Sequence, residues 1–388
     1  MIAEILQPVN ETLQNRIQNH ASPKSLYYQT RFLKEDEPIG TNFSLAILGI
    51  PEDRASDELM GCSEAPDRIR HSLYRLIKPR FDIQLIDLGN IRRGASVTDT
   101  YVAVRTVLNE LLKAKIPLLI LGGSDDLITA HFQAYKGVST NLHLVTVDSK
   151  INMQMDNSQG KPGYIPQIIQ TESPALFSIT QAGYQGYFVE PETYDAFERM
   201  NFDLIRLGAL RGALISDLEP YCRNADMLSF SMNAIRAADA PGQFQASPNG
   251  FSGEEACQIA RYAGISNDLS SFGIYNLLPA LDREGVTSEL AAQMAWYFIE
   301  GYCNRKQEYP VKESLDYTIY RTTSRFGDEE LVFYKSNLSN RWWMEVPYPK
   351  ERTSQEGKFM VPCSYKDYQQ ALNDEIPDRW MKTYQKLL

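Results

Sequence analysis

The sequence predicts an α/β three-layer sandwich on a mainly parallel sheet, and three observations carry that prediction. Short apolar runs recur at residues 45–50, 85–88, 118–121, 142–147, 204–207, 227–230 and 272–275. They are apolar on both faces, as strands of a parallel sheet are when helices cover both sides. Between them lie segments of helical period. Val104, Val107, Leu108, Leu111 and Leu112 form one stripe, and Leu290, Met294, Tyr297 and Phe298 form another, in a helix expected from about Ser288 to Tyr302. Ser252 and Glu255 have capping-box spacing ahead of Cys257 and Ile259. The third observation is the order itself, strand and helix alternating along the chain.

Two stretches fall outside this alternation and predict a division into residues 1–42, 43–310 and 311–388. The first is a polar, helical lead-in. The last departs from the pattern in another way, because residues 317–320 and 331–334 read as antiparallel strands around Phe326-Gly327-Asp328. Arg341-Trp342-Trp343, a proline-rich turn, and short helices over 365–372 and 378–387 follow.

Composition excludes several functions. The chain has 388 residues, 43% hydrophobic and 23% charged, which is ordinary for a globular protein. A formal net charge of −10 disfavours nucleic acid and anionic membrane partners, because phosphate recognition needs a basic surface. No stretch is apolar enough to cross a bilayer, and the start, MIAEILQPVNETLQNR, lacks the apolar run of a secretory signal. A cytoplasmic location is therefore expected. Cys62, Cys222, Cys257, Cys303 and Cys363 are odd in number and irregularly spaced, so they read as reduced packing residues.

Ligands of an open parallel sheet sit at the carboxyl ends of its strands. The residues there are Gly122-Gly123-Ser124-Asp125-Asp126 after 118–121, and Asp148-Ser149-Lys150-Ile151-Asn152 after 142–147. Ser229-Phe230-Ser231-Met232-Asn233-Ala234 runs on to Ala240-Pro241-Gly242, and Tyr275-Asn276-Leu277-Leu278-Pro279 leads to Asp282. Upstream stands Gly61-Cys62-Ser63-Glu64-Ala65-Pro66-Asp67-Arg68-Ile69-Arg70. In this order and spacing the five segments resemble the arginase, agmatinase and formimidoylglutamase family, with its GGDHS, DAHxD, SxDxDxxDPxxAPG, ExNPxxD-like and APDxIR elements. The likeness spans roughly residues 43–305, and residues 179–212 look nearest the formimidoylglutamase branch.

The resemblance implies an arginase-like fold and a centre of two Mn²⁺ ions, held by four Asp and two His, that activates hydroxide against a guanidino or formimino carbon. Residue by residue this chain departs from that pattern. Asp125 stands for the first His, Lys150 for the second, and Asn152, Ser231 and Asn233 for three of the Asp. Asp148 alone is kept; Asn276 replaces a substrate-pocket Glu, and Arg236 the Asp before the family's proline. A protonated Lys has no lone pair for a metal, and neutral oxygens are weak ligands for Mn²⁺. The expectation is a lost manganese site, no cofactor, and a ureohydrolase-fold pseudoenzyme in which Lys150 neutralises Asp125 and Asp148. A one-metal site on Asp125, Asp126 and Asp148 is the lesser reading.

Other features read more plainly. His131 and His143 suit core or surface positions better than ligation, and His20 and His71 have no acidic or cysteine partner nearby. Trp342, Trp343 and Trp380 are either buried anchors or a partner-binding surface. Two functions from different classes follow. One is an inactive structural or interaction component with a protein partner and a homo-oligomeric assembly. The other is a metal-free enzyme or small-molecule sensor, or a residual hydrolase of linear amidines or guanidines, using the same cleft. A cleft filled by side chains around Lys150 favours the first, an open one the second.

Overall fold

The protein is described by a computed structural model over residues 2–35, 37, 39–40, 42–55, 59–155, 162–310, 316–323, 330–348 and 357–388. Ten strands make one sheet: β1 (Leu6–Gln7), β2 (Thr30–Phe32), β3 (Leu45–Gly49), β4 (Leu85–Ile91), β5 (Leu118–Leu121), β6 (Leu142–Val147), β7 (Leu176–Tyr184), β8 (Asp203–Arg206), β9 (Met227–Ser231) and β10 (Ser271–Tyr275). Their spatial order is β1-β4-β3-β5-β10-β9-β6-β7-β8, with β2 also on β4. Every pairing is parallel except β1 with β4.

The inner strands β3, β5, β9 and β10 are buried along their whole length. That explains why they carry no polar face: helices cover both sides. On one side Ile47, Leu119, Val145, Leu228 and Phe272 meet Ile259, Met294 and Phe298. On the other Leu48, Ile120 and Leu144 meet Val104, Leu108, Leu111 and Phe132. The expected capping box closes as Ser252 Oγ accepts from Glu255 N–H at 3.2 Å while Glu255 accepts from Ser252 N–H at 2.8 Å.

Two expectations need correction. The lead-in is only partly helical, because β1 and β2 bracket its helices Glu11–Gln18 and Leu26–Gln29 and join the sheet through β4. Strand β7 gives no apolar run because Ser178, Thr180 and Gln181 interrupt it, yet all three are buried. Gln181 Oε1 accepts from Thr146 Oγ1 at 2.6 Å, so the interior satisfies the polar groups that hide the strand in the sequence.

The C-terminal stretch forms a four-stranded antiparallel sheet, β11 (Tyr317–Thr323), β12 (Glu330–Ser336), β13 (Trp342–Pro347) and β14 (Lys358–Cys363), in that order. The turn expected at 326–328 lies outside the described residues. One face packs on helices Tyr365–Leu372 and Asp378–Leu387. On the other, Trp343 lies under Arg223 of the main domain, with the guanidinium 4.3 Å from the ring centre. Among the described residues no helix is long and apolar enough to cross a membrane.

Candidate functional site

Strands β5, β10, β9 and β6 are successive neighbours, so the four segments singled out after them converge at one end of the sheet. Gly123 sits so close to the Glu52 carbonyl that an added Cβ would lie 2.0 Å from it. This contact lets Ser124 N–H donate to Glu52 O at 3.1 Å and fixes where Asp125 emerges.

The two carboxylates expected at the centre are there. Asp125 N–H donates to Asn276 Oδ1 at 2.9 Å, and the amides of Asn276 and Asn152 lie near enough to the Asp125 carboxylate to favour its charged form. Asn276 Nδ2 also donates to Ser231 Oγ at 3.1 Å, and Ser231 bonds Asp148. Asp148 further accepts from Lys150 N–H at 3.2 Å and Ser149 Oγ at 3.3 Å. Burial first, and the charge of Asp148 second, push the Asp125 carboxyl up to about 6. Burial likewise raises Asp148.

Lys150 does not join this group. Its ammonium donates to Gln245 Oε1 on the exposed side and lies 5.2 Å from the Phe188 ring centre. The expected internal ion cluster is thus corrected. The backbone N–H of Lys150 meets Asp148, while its long stem carries the charge outward, where solvation is cheaper than in the interior. Among the described residues no cationic side chain pairs with Asp125 or Asp148.

Two groups at this end, Tyr164 and Gln185, were not site candidates in the sequence, and two that were, Asp126 and Asn233, take places of their own. Tyr164, buried after the loop that follows β6, feels the charges of Asp148 and Asp125, and its phenol is held well above its ordinary value, chiefly by burial. Its sequence signal was only an aromatic at a helix start. Asp126, noted only as a possible ligand, turns away to accept from Ser124 Oγ and Tyr101 Oη; burial raises it to about 6. Asn233 accompanies Ser231 through an N–H donated to Ser231 Oγ at 3.3 Å, and its buried Oδ1 has no donor among the described residues. The same holds for Oε1 of buried Gln185, which follows β7 and whose N–H donates to Ser149 O at 2.9 Å. Gln185 ends the Ala182-Gly183-Tyr184-Gln185 segment of the stretch that resembles the formimidoylglutamase branch.

The remaining candidates are structural. His131 is buried between Tyr275 Oη at 3.0 Å and Ser271 Oγ at 2.7 Å, and burial drives its imidazole down to about 3. Trp342, Trp343 and Trp380 are 7%, 3% and 6% exposed. Trp342 stacks on Tyr368, and Trp380 Nε1 donates to Glu345 O at 2.8 Å. All three indoles are buried against the chain itself, and Trp342 keeps an edge in a surface groove beside Tyr320, Tyr365 and Leu372.

Comparison with known proteins agrees with this fold. The arginase family model matches residues 43–300. The formimidoylglutamase of Lysinibacillus sphaericus is 23% identical over 269 residues, 66% of this chain and 82% of that protein. That of Geobacillus kaustophilus is 25% identical over 288 residues, 69% of this chain and 87% of its own. Among solved structures, Trypanosoma cruzi formiminoglutamase with Mn²⁺ superposes with a TM-score of 0.63 at 18% identity, covering 70% of this chain and 97% of that one. Bacillus subtilis formimidoylglutamase gives 0.61 at 19%, covering 71% and 90%.

Proposed function

The chain belongs to the arginase family, and from that premise we propose that its strand-end site recognises a small amidine- or guanidine-bearing ligand, of the kind its formimidoylglutamase relatives are named for, without a manganese pair. One observation carries this reading. Asp125 and Asp148 are carboxylates without a cationic partner among the described residues, and Asn233 Oδ1 and Gln185 Oε1 nearby in the chain segments at that end are buried acceptors without donors. Such a site is rich in acceptors and negative charge. A planar cation with several N–H donors answers both needs at once, because amidinium and guanidinium groups form charge-assisted, two-point hydrogen bonds with carboxylates.

The donor set does not fit two divalent ions. Four carboxylates would balance their charge, whereas Asp125 and Asp148 supply two, and Asn152, Ser231 and Asn276 already bond to them. No hydrolytic step through a metal is therefore derived. A second reading, a catalytically inactive scaffold serving a structural or protein-interaction role, has support in that same network, since those amides and hydroxyls are satisfied without a ligand.

The readings separate by calorimetry on the full chain, using formiminoglutamate, agmatine and arginine with formamide and urea release followed in parallel. Saturable binding of one of them, weakened at least tenfold by Asp148→Asn and with release at background, supports the first reading. Absence of binding by any of the three to folded protein leaves the scaffold. Retention of one or two Mn per chain after desalting, together with product release, overturns both.

A further inference from the structure

A second polar cavity lies far from the strand-end site, where the C-terminal module docks on the main sheet. It is bounded by β6, β7, the start of β8 and the helix Asp378–Leu387, and its volume is about 30 Å³. On that measure a single water needs ~10–15 Å³, so about two waters fit inside, and because the cavity is partly open a larger ion would seat with part of its surface in solvent. His143 near the start of β6 marks its depth; five residues separate it from Asp148, or about 16 Å along the strand.

The charges around it do not balance. Arg379, Lys382 and Lys386 come from the helix, and Asp203 is the only acidic lining residue among the described residues. Asp203 is engaged by Lys382 at 2.8 Å. The Arg379 guanidinium lies 3.8 Å over the Tyr221 ring, gives one long hydrogen bond of 3.3 Å to Pro362 O, and keeps a buried Nε without an acceptor among the described residues. Asp367, whose charge Arg379 also feels, is committed to capping, accepting from Ser364 N–H at 2.6 Å and Ser364 Oγ at 2.7 Å. The Lys386 ammonium sits 5.6 Å and 5.8 Å from the Phe177 and Phe202 ring centres and has no hydrogen-bond acceptor among the described residues. Burial, opposed by Asp203, brings it down to about 8, so it is still mostly charged at neutral pH.

His143 adds no counter-charge and no extra cation. Burial, helped by Lys386, drives it to about 3, so the ring is neutral. Its Nδ1 is approached by both Ser178 Oγ at 2.9 Å and Asn224 Nδ2 at 3.0 Å. The Ser178 hydroxyl can donate or accept there according to the His143 tautomer, and so can supply a neutral donor at the cavity wall.

Arg379 Nε is buried without an acceptor among the described residues, Lys382 is a third exposed and paired with Asp203, and Lys386 is half-buried, so three cations gather here against one carboxylate, an excess of positive charge that attracts a counter-ion. We propose that this cavity binds a single phosphate-class oxyanion, held between Lys386, Lys382 and Arg379 of the C-terminal helix and a neutral donor of the sheet, so that the ion ties the C-terminal module to the main domain. Three donor-only side chains converge from one helix, and a tetrahedral oxyanion offers acceptors in as many directions.

The test is titration of the full chain with inorganic phosphate at pH 7, against sodium chloride at equal ionic strength, by calorimetry and thermal unfolding. Saturable one-to-one binding and a rise in Tm beyond the chloride control are expected. Lys386→Gln should weaken binding at least tenfold, Lys386→Arg should restore it, and Asp203→Asn should tighten it by removing a repelling charge. Glycerol phosphate is the second arm: binding equal to phosphate assigns the site to a phosphoryl group, and exclusion assigns it to the free ion. Absence of any effect beyond chloride overturns the proposal, as does unchanged phosphate affinity in Lys386→Gln. If Lys386→Gln does not fold, the Asp203→Asn result decides, and no tightening there counts against the site.

Discussion

Asn276 ties Asp125 to Ser231: its Oδ1 accepts the Asp125 N–H at 2.9 Å, and its Nδ2 donates to Ser231 Oγ at 3.1 Å. It does so from a left-handed backbone, φ 63°, which Asn tolerates better than other side chains apart from glycine.

Removing that side chain should leave the part-buried Asp125 N–H without its acceptor, while Ser231 Oγ keeps the Asn233 N–H. Asn276→Gly keeps the backbone conformation and isolates the side-chain effect, for which a loss of about 1–3 kcal/mol is expected. Asn276→Ala adds left-handed strain of about 1 kcal/mol. Urea unfolding measures both; a Gly variant within 0.5 kcal/mol of the parent, the ordinary scale of a surface change, means the bridge contributes nothing.

The raised Asp125 predicts a pH dependence of definite sign. An unfolded Asp loses its proton near 4, while the folded group keeps it to about 6. Over that window the folded state binds more protons, so this group's contribution is fully favourable below about 4 and is lost as pH rises through about 6. His131 and His143, both driven to about 3, act oppositely, costing stability as pH falls below about 6.5, where an unfolded His takes up its proton. The difference between Asp125→Asn and the parent isolates the carboxylate. The variant should gain relative stability between pH 4 and pH 8, by up to about 3 kcal/mol at ~1.4 kcal/mol per unit. A difference that is flat with pH removes the buried, raised carboxyl from consideration.

Lys150 and Arg70 make a controlled contrast between an exposed and a buried cation. Arg70 is fully buried and grips Asp87 with Nε at 2.8 Å and Nη2 at 2.9 Å, while Tyr74 Oη donates to the same carboxylate. Arg70→Met should cost about 3–5 kcal/mol, because it strands a buried charge. Lys150→Met, which removes an exposed bond to Gln245 and a contact with the exposed Phe188 ring, should change unfolding free energy by less than about 0.5 kcal/mol. Equal losses in the two variants would return Lys150 to the interior.

Much of this arrangement was readable in the residues, and the parts that were not share a cause. Runs such as 118–121 and 142–147 match β5 and β6 because strands buried on both faces can hold little but apolar residues. The segments after them identify which side chains meet, since neighbouring parallel strands must end together. Periodicity is silent on side-chain direction: Lys150 occupies a position on the strand-end loop, but a four-carbon stem lets its charge leave the site. It is silent too on polar strands such as β7, whose Thr180 and Gln181 are tolerated only because the interior supplies partners. The strands of the C-terminal sheet were half legible. β13 was hidden because Trp342 and Trp343 face opposite sides, one toward Tyr368 and the other toward Arg223.

That division of faces yields the last prediction. Trp343 lies on the side of the C-terminal sheet that meets the main domain, and Arg223 beneath it is buried and donates from Nη2 to Cys363 O at 3.1 Å. Trp380 belongs to the opposite face, stacked 5.2 Å from Tyr384 and inside the module's own core. Each indole is fully enclosed, so Trp→Ala at either site should cost about 3–5 kcal/mol. The consequences should differ. Trp380→Ala loosens the module internally, whereas Trp343→Ala also strips the cation–π contact, worth about 2 kcal/mol when desolvated, that anchors the module to the main domain. Hydrogen exchange should therefore report loss of protection in 219–223 and β14 for Trp343→Ala, and confined to 342–347 and 358–387 for Trp380→Ala. Identical exchange maps for the two variants would mean that the C-terminal sheet and the main domain unfold as one unit, and that the Arg223–Trp343 contact is no separable anchor.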